Sequence, residues 1–132
     1  MIKKDKQSST PRIKIIQKLY SNLLNPDEKI FFPKSQYKKF MKDVVTGTLE
    51  RKELIEETIL KHLTDDINLK KTDKILKIII FAAVFELIFK HNNPKNVIIA
   101  EYVRSSEFFL EEAQIKYLNA ILDKISKKSK IK

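Results

Sequence analysis

The 132-residue chain carries few side chains suited to making and breaking bonds. It has no cysteine, which removes a thiolate nucleophile, a thiolate metal site and a disulfide scaffold. Its two histidines, His62 and His91, fall in different segments beside lysines, and imidazoles scattered in this way lack the orienting partner that a catalytic base or a metal ligand requires. Glu53, Glu56 and Glu57 have nothing apolar around them to raise a carboxyl pKa, so they read as a solvated helix face rather than as an acid/base pair. A single glycine, Gly47, cannot build a glycine-rich phosphate loop or a Gly-x-Ser-x-Gly elbow, and there is no His-Glu-x-x-His helix. The residue types therefore predict neither catalysis nor a metal or cofactor.

The chemistry that remains is cationic. The formal net charge is +10, from 27 basic and 17 acidic residues, and all of it is segregated. Residues 1–20 hold Lys3, Lys4, Lys6, Arg12, Lys14 and Lys18 against Asp5, and residues 116–132 hold Lys116, Lys124, Lys127, Lys128, Lys130 and Lys132 against Asp123. Between them, residues 21–115 are balanced, with fifteen bases and fifteen acids. If the fold joins the two ends, they form one patch suited to a polyanion; if it does not, they are two solvated tails. The first ten residues lack the apolar stretch of a secretory signal, and a cytoplasmic location is expected.

These groups must be positioned by helices. One glycine and four prolines in a chain that is 42% hydrophobic leave too few turn residues for an all-β sandwich or barrel, and enough apolar residues for one compact core. Thr10-Pro11 is a helix start, with threonine as cap and proline at the first helical position, and Ile13, Ile16, Tyr20 and Leu23 give a buried stripe over residues 11–24. Asn25-Pro26 ends that helix, and a loop follows to Pro33. From Ser35 to Leu63 one apolar phase runs through Phe40, Met41, Val44, Val45, Thr48, Ile55 and Ile59, which predicts a single long helix in which Gly47 admits a close crossing. Residues 64–69, with Asp65 and Asp66, mark the clearest internal boundary. Residues 72–90 are apolar on nearly every side and predict the central helix. The uninterrupted run at 78–85 is far shorter than the ~18 residues a membrane span needs, and Glu86 interrupts it. Helices over about 95–110 and 112–126 complete the set. The expectation is one all-α domain, with helical halves at about 11–63 and 70–126 and basic tails at 1–9 and 127–132.

An ordered series of local patterns runs through these helices. It consists of Arg12-x-x-x-x-Gln17-x-Leu19-Tyr20, Val45-x-Gly47 followed by Leu54, Leu76-Lys77 leading to Phe85-Glu86-Leu87, Pro94-x-x-Val97-x-Ile99-x-Glu101-Tyr102-Val103, and the stretch from Lys116 and Tyr117 through Leu118-Asn119-Ala120-Ile121-Leu122-Asp123-Lys124. The order and spacing resemble the NusB family of bacterial transcription antitermination factors over about residues 12–125.

The resemblance implies an all-helical fold of two small bundles packed together. It also implies binding of single-stranded boxA-type RNA from nascent rRNA transcripts, together with the ribosomal protein NusE, in an RNA polymerase antitermination complex. The RNA surface it implies uses the start of the first helix and the start of the last. Arg12 matches the basic helix start, supplemented by Lys3, Lys4, Lys6 and Lys14, with Gln17 and Tyr20 on the same helix. Lys116 and Tyr117 match a basic-aromatic pair, with Lys124 further along. A tyrosine there can stack on an unpaired base while lysine neutralises phosphate. Tyr20 and Tyr117 have core packing as their alternative role. Glu86 and Glu101, polar groups in apolar helices, are read first as structural hydrogen-bond acceptors and second as partner contacts. The chain departs from the family pattern at Leu76, Phe81 and Ala100. Two other readings stay open: an RNA-binding module in rRNA processing or methylation, and a helical bundle that docks proteins alone. Self-association is undetermined between monomer and homodimer.

Overall fold

A computed structural model describes residues 10–63, 67–90 and 92–129. Those residues form six helices and no strands: α1 (Pro11–Leu24), α2 (Lys38–Glu50), α3 (Lys52–Leu63), α4 (Lys74–Phe89), α5 (Lys95–Ser106) and α6 (Glu112–Lys128). The all-α expectation holds.

The helix α4 is buried along most of its length, from Leu76 to Leu87, and packs against every one of the other five helices. Fully burying an aliphatic or aromatic side chain contributes about 1.5–3 kcal/mol, so the run Ile79-Ile80-Phe81-Ala82-Ala83-Val84-Phe85 can be accommodated only at the centre of the protein. Asp73 starts this helix in register: its carboxylate accepts from the Ile75 and Leu76 backbone N–H groups at 3.1 and 3.3 Å. Ile67 and Leu69, just before it, are themselves buried in the same core cluster, so the described part of the expected boundary is tied down. Residues 64–66 lie outside the described residues. No described helix is long and apolar enough to cross a membrane.

Two boundaries differ from the sequence expectation. The predicted single helix over 35–63 is two helices meeting at Arg51, whose backbone (φ −107°, ψ 22°) leaves the helical region while its N–H still bonds Gly47 O at 2.9 Å. The apolar phase survives because Ile55 N–H bonds Arg51 O at 2.9 Å, which carries the turn across the joint. The helix predicted over 95–110 stops at Ser106, and residues 107–110 form a turn in which the Phe109 and Leu110 N–H groups both bond Ser106 O. The cause lies just beyond. Glu111 and Gln114 form a reciprocal capping box that starts α6 and so forces the preceding residues out of a continuous helix. At α1, Thr10 occupies the cap position with Pro11 following, but its side chain makes no capping bond.

Gly47 is the close crossing that the sequence predicts. A Cβ there would lie 2.2 Å from Phe85 Cζ, so α2 and α4 meet at a distance only a glycine allows.

Candidate nucleic-acid interface

Arg12 is not at the surface. The residue is 9% exposed, and its guanidinium is used bidentately: Nε and Nη2 donate to the two oxygens of Glu86 at 3.1 and 2.7 Å. Glu86 is 1% exposed and also accepts from the hydroxyl of Tyr102, which is fully buried. The Arg12 guanidinium further lies 5.0 Å from the Phe40 ring centre and 5.4 Å from that of Tyr102. Burial opposes its charge, but the hydrogen bonds and charge of Glu86 hold its pKa above the usual range. The same burial, reinforced by Glu86, pushes the Tyr102 hydroxyl well above the ordinary phenol range.

Arg12, expected to face RNA, is instead turned inward, and Glu86 is a buried hydrogen-bond acceptor, the first of its two readings from the sequence rather than a partner contact. They form one internal cluster that ties α1, α2, α4 and α5 together. The reason is desolvation: a carboxylate on the most buried helix requires a cation and donors beside it, and the fork of arginine satisfies it from one side chain. Glu101 differs. It lies on the half-exposed face of α5 and accepts from Arg104 Nη2 at 2.7 Å.

The exposed chemistry of α1 lies on its other side, in two adjoining grooves. One open groove of about 390 Å³ is lined by Ile16, Gln17, Tyr20, Ser21 and Leu24 of α1, with Ile75 of α4 and Phe108 and Phe109 of the 107–110 turn. The second, about 340 Å³, is lined by Lys14, Gln17, Lys18, Ser21 and Pro33. Gln17 and Ser21 belong to both, so an aromatic groove and a cationic groove share an edge. Tyr20 is half-buried rather than a core residue. Lys18 Nζ donates to Phe31 O at 2.5 Å and lies 5.3 Å from the Phe32 ring centre, which fastens the 25–33 segment against α1. Its partial burial, and then the neighbouring Lys14 charge, lower its pKa.

The other predicted residues are placed as follows. Lys116 is exposed in the second turn of α6 and pairs with Glu112 at 3.3 Å. Tyr117 is half-buried against the core, and Lys124 is exposed on α6. Among the described residues α1 and α6 make no packing contact, and each instead packs on α4 and α5. The 107–110 turn, immediately before α6, contributes Phe108 and Phe109 to the groove that Ile16, Gln17 and Tyr20 of α1 also line. Lys3, Lys4 and Lys6 lie outside the described residues, as does His91. Phe108, Phe109 and Lys18 are among the groove residues that sequence reasoning did not assign. The Glu111-x-x-Gln114 capping box was the available signal, because it converts the two phenylalanines from helix residues into turn residues.

The sequence matches the model of the NusB family over residues 4–127. The chain belongs to this family. It is 36% identical over 90 residues to the transcription antitermination protein NusB of Mesorhizobium japonicum, a match covering 68% of this chain and 58% of that protein. It is 32% identical over 92 residues to the NusB of Allorhizobium ampelinum, covering 70% and 58%. The matched segment thus spans a little under three fifths of these curated relatives. The fold is similar to that of NusB from T. maritima, with a TM-score of 0.78, 21% identity and coverage of 96% of this chain and 94% of that one. Two departures from the NusB pattern, Leu76 and Phe81, are buried in the core, whereas Ala100 is exposed on α5.

Proposed function

We propose that this NusB-family chain is a non-catalytic transcription antitermination factor. It binds boxA-type single-stranded RNA of nascent rRNA transcripts together with NusE in the RNA polymerase antitermination complex. The observation that carries the reading is the shared edge of the two α1 grooves, where Lys14 and Lys18 stand beside Gln17, Tyr20 and Phe109. Single-stranded RNA is held by this combination: cations follow the phosphates, aromatic faces take unstacked bases at about 1–3 kcal/mol each, and an amide can read a base edge. Lys116, Tyr117 and Lys124 extend the surface along α6, and Lys3, Lys4 and Lys6 add charge ahead of α1. Glu101, on the half-exposed face of α5, is left for a protein contact. The family match and the printed names of the relatives, transcription antitermination proteins, support the same reading.

The test is affinity recovery from a bacterial lysate, with sequencing of the bound RNA and identification of the bound proteins. The reading predicts enrichment of boxA-like leader RNA together with NusE. Recovery of protein without RNA would replace it with a protein-docking role, and recovery of mature rRNA with a methyltransferase would replace it with a role in RNA processing.

A further inference from the structure

On the opposite flank of α1 lies a third groove, which the RNA surface does not use. It measures about 280 Å³ and runs between the end of α1, the α2–α3 joint and the start of α4. Its apolar wall is formed by Leu19, Leu23, Leu49, Ile78 and Phe81. Two of these are substantially open to solvent, Leu23 at 44% and Leu49 at 38%. Its charged wall is Lys52, Lys74 and Lys77, with no carboxylate among the lining residues. Thr48, also in the lining, has a buried hydroxyl oxygen without a hydrogen-bond partner among the described residues.

We propose that this lysine-edged groove docks an acidic amphipathic helix from a partner protein, a contact separate from the RNA surface and additional to it. Exposed leucines at the base of a cleft lose unfavourable hydration when another apolar stripe covers them. Three lysines with no ion-pair partner among the described residues select glutamates or aspartates on the flanks of that stripe. The groove is bounded by helices and offers no strand edge, so an incoming segment would place apolar anchors at helical spacing between α1 and α4. A nucleic acid is the poorer fit, because stacking needs open aromatic faces, and here the exposed floor is aliphatic while Phe81 is buried. The volume is also just under the ~300–1,000 Å³ of small-molecule pockets.

The probe is a fluorescein-labelled synthetic 14-residue helix carrying leucine at positions i, i+3, i+4 and i+7 and glutamate on the flanking positions, titrated by anisotropy with the full chain. A control peptide has lysine in place of every glutamate. The proposal predicts saturable binding of the acidic peptide, no binding of the basic one, and at least about tenfold weaker binding for Leu49→Glu and for Lys77→Glu. RNA affinity of Leu49→Glu should be unchanged, which separates failure of this site from failure of the RNA reading. Leu49 is exposed and Lys77 half-buried at the groove edge, so circular dichroism should report folded variants. Amide shift mapping on the wild-type protein, which needs no variant, should locate the peptide at residues 19–23, 48–52 and 74–81. Shifts confined to Lys14 and Lys18 would overturn the proposal in favour of general attraction of anions. So would equal binding of both peptides, or sedimentation showing a dimer that Leu49→Glu dissociates, since a second copy would then be the occupant.

Discussion

At the scale of single residues, the Arg12–Glu86–Tyr102 cluster shows how a charged pair inside a helical core acts. The pair gains little over well-packed apolar residues of the same volume, yet breaking it leaves an uncompensated buried charge. Arg12→Met alone should therefore lower stability by about 3–5 kcal/mol in urea unfolding, whereas Arg12→Met with Glu86→Leu should recover most of the loss. A double variant no more stable than the single one would mean that the cluster contributes more than charge compensation. Tyr102 supplies a pH test. Its hydroxyl is held well above the ordinary phenol range in the folded protein, so at high pH the folded chain retains a proton that the unfolded chain releases. The associated stability is fully present below about pH 10, where the unfolded phenol titrates, and declines as pH rises from there toward the folded group's higher value. The stability gap between the wild type and Tyr102→Phe should narrow above about pH 10, and a constant gap would contradict this assignment. Little of the cluster could be read in the sequence. Glu86 in an apolar helix announced that it needed a donor, but Arg12 lies 74 residues away, and nothing local distinguishes a basic helix start that faces water from one that turns inward.

At the scale of elements, the crossing of α2 and α4 was legible, and the joints between helices were not. Gly47 stood out as the only glycine, inside an unbroken apolar phase, and Phe85 fills the space a side chain would need. Gly47→Ala should gain about 1 kcal/mol of helix propensity and still destabilise the protein, by about 1–3 kcal/mol, through overpacking. Introducing Phe85→Leu first should reduce that cost, because the ring is the atom group in conflict. Thermal melts of the two singles and the double variant check it; additive effects would show that Phe85 is not what the new side chain meets. The joint at Arg51 was hidden because backbone hydrogen bonds continue through it and the buried positions keep their spacing. The end of α5 was hidden for a different reason. Phe108, Phe109 and Leu110 are apolar enough to prolong a helix pattern, and the capping box after them was the stronger, unread instruction.

At the scale of the whole molecule, charge segregation is the feature the sequence stated most clearly. The ends carry the net charge while the middle is neutral, and burial removes only Arg12 of the described basic side chains from solvent. Among the described residues α1 and α6 do not pack on one another, and the 107–110 turn that precedes α6 lines one groove with α1. One RNA strand lying in the aromatic groove could therefore meet Lys14 and Lys18 on one side and follow the turn toward α6. The most direct test of this account is the salt dependence of the affinity for a boxA-type single strand, measured with NusE present for the wild type and for Lys14→Glu. The account predicts a log–log slope near −0.7 per phosphate neutralised, a smaller slope by about that amount for Lys14→Glu, and an unchanged melting temperature for the variant. An affinity that does not respond to salt, or a slope that Lys14→Glu leaves untouched, would contradict RNA binding at α1.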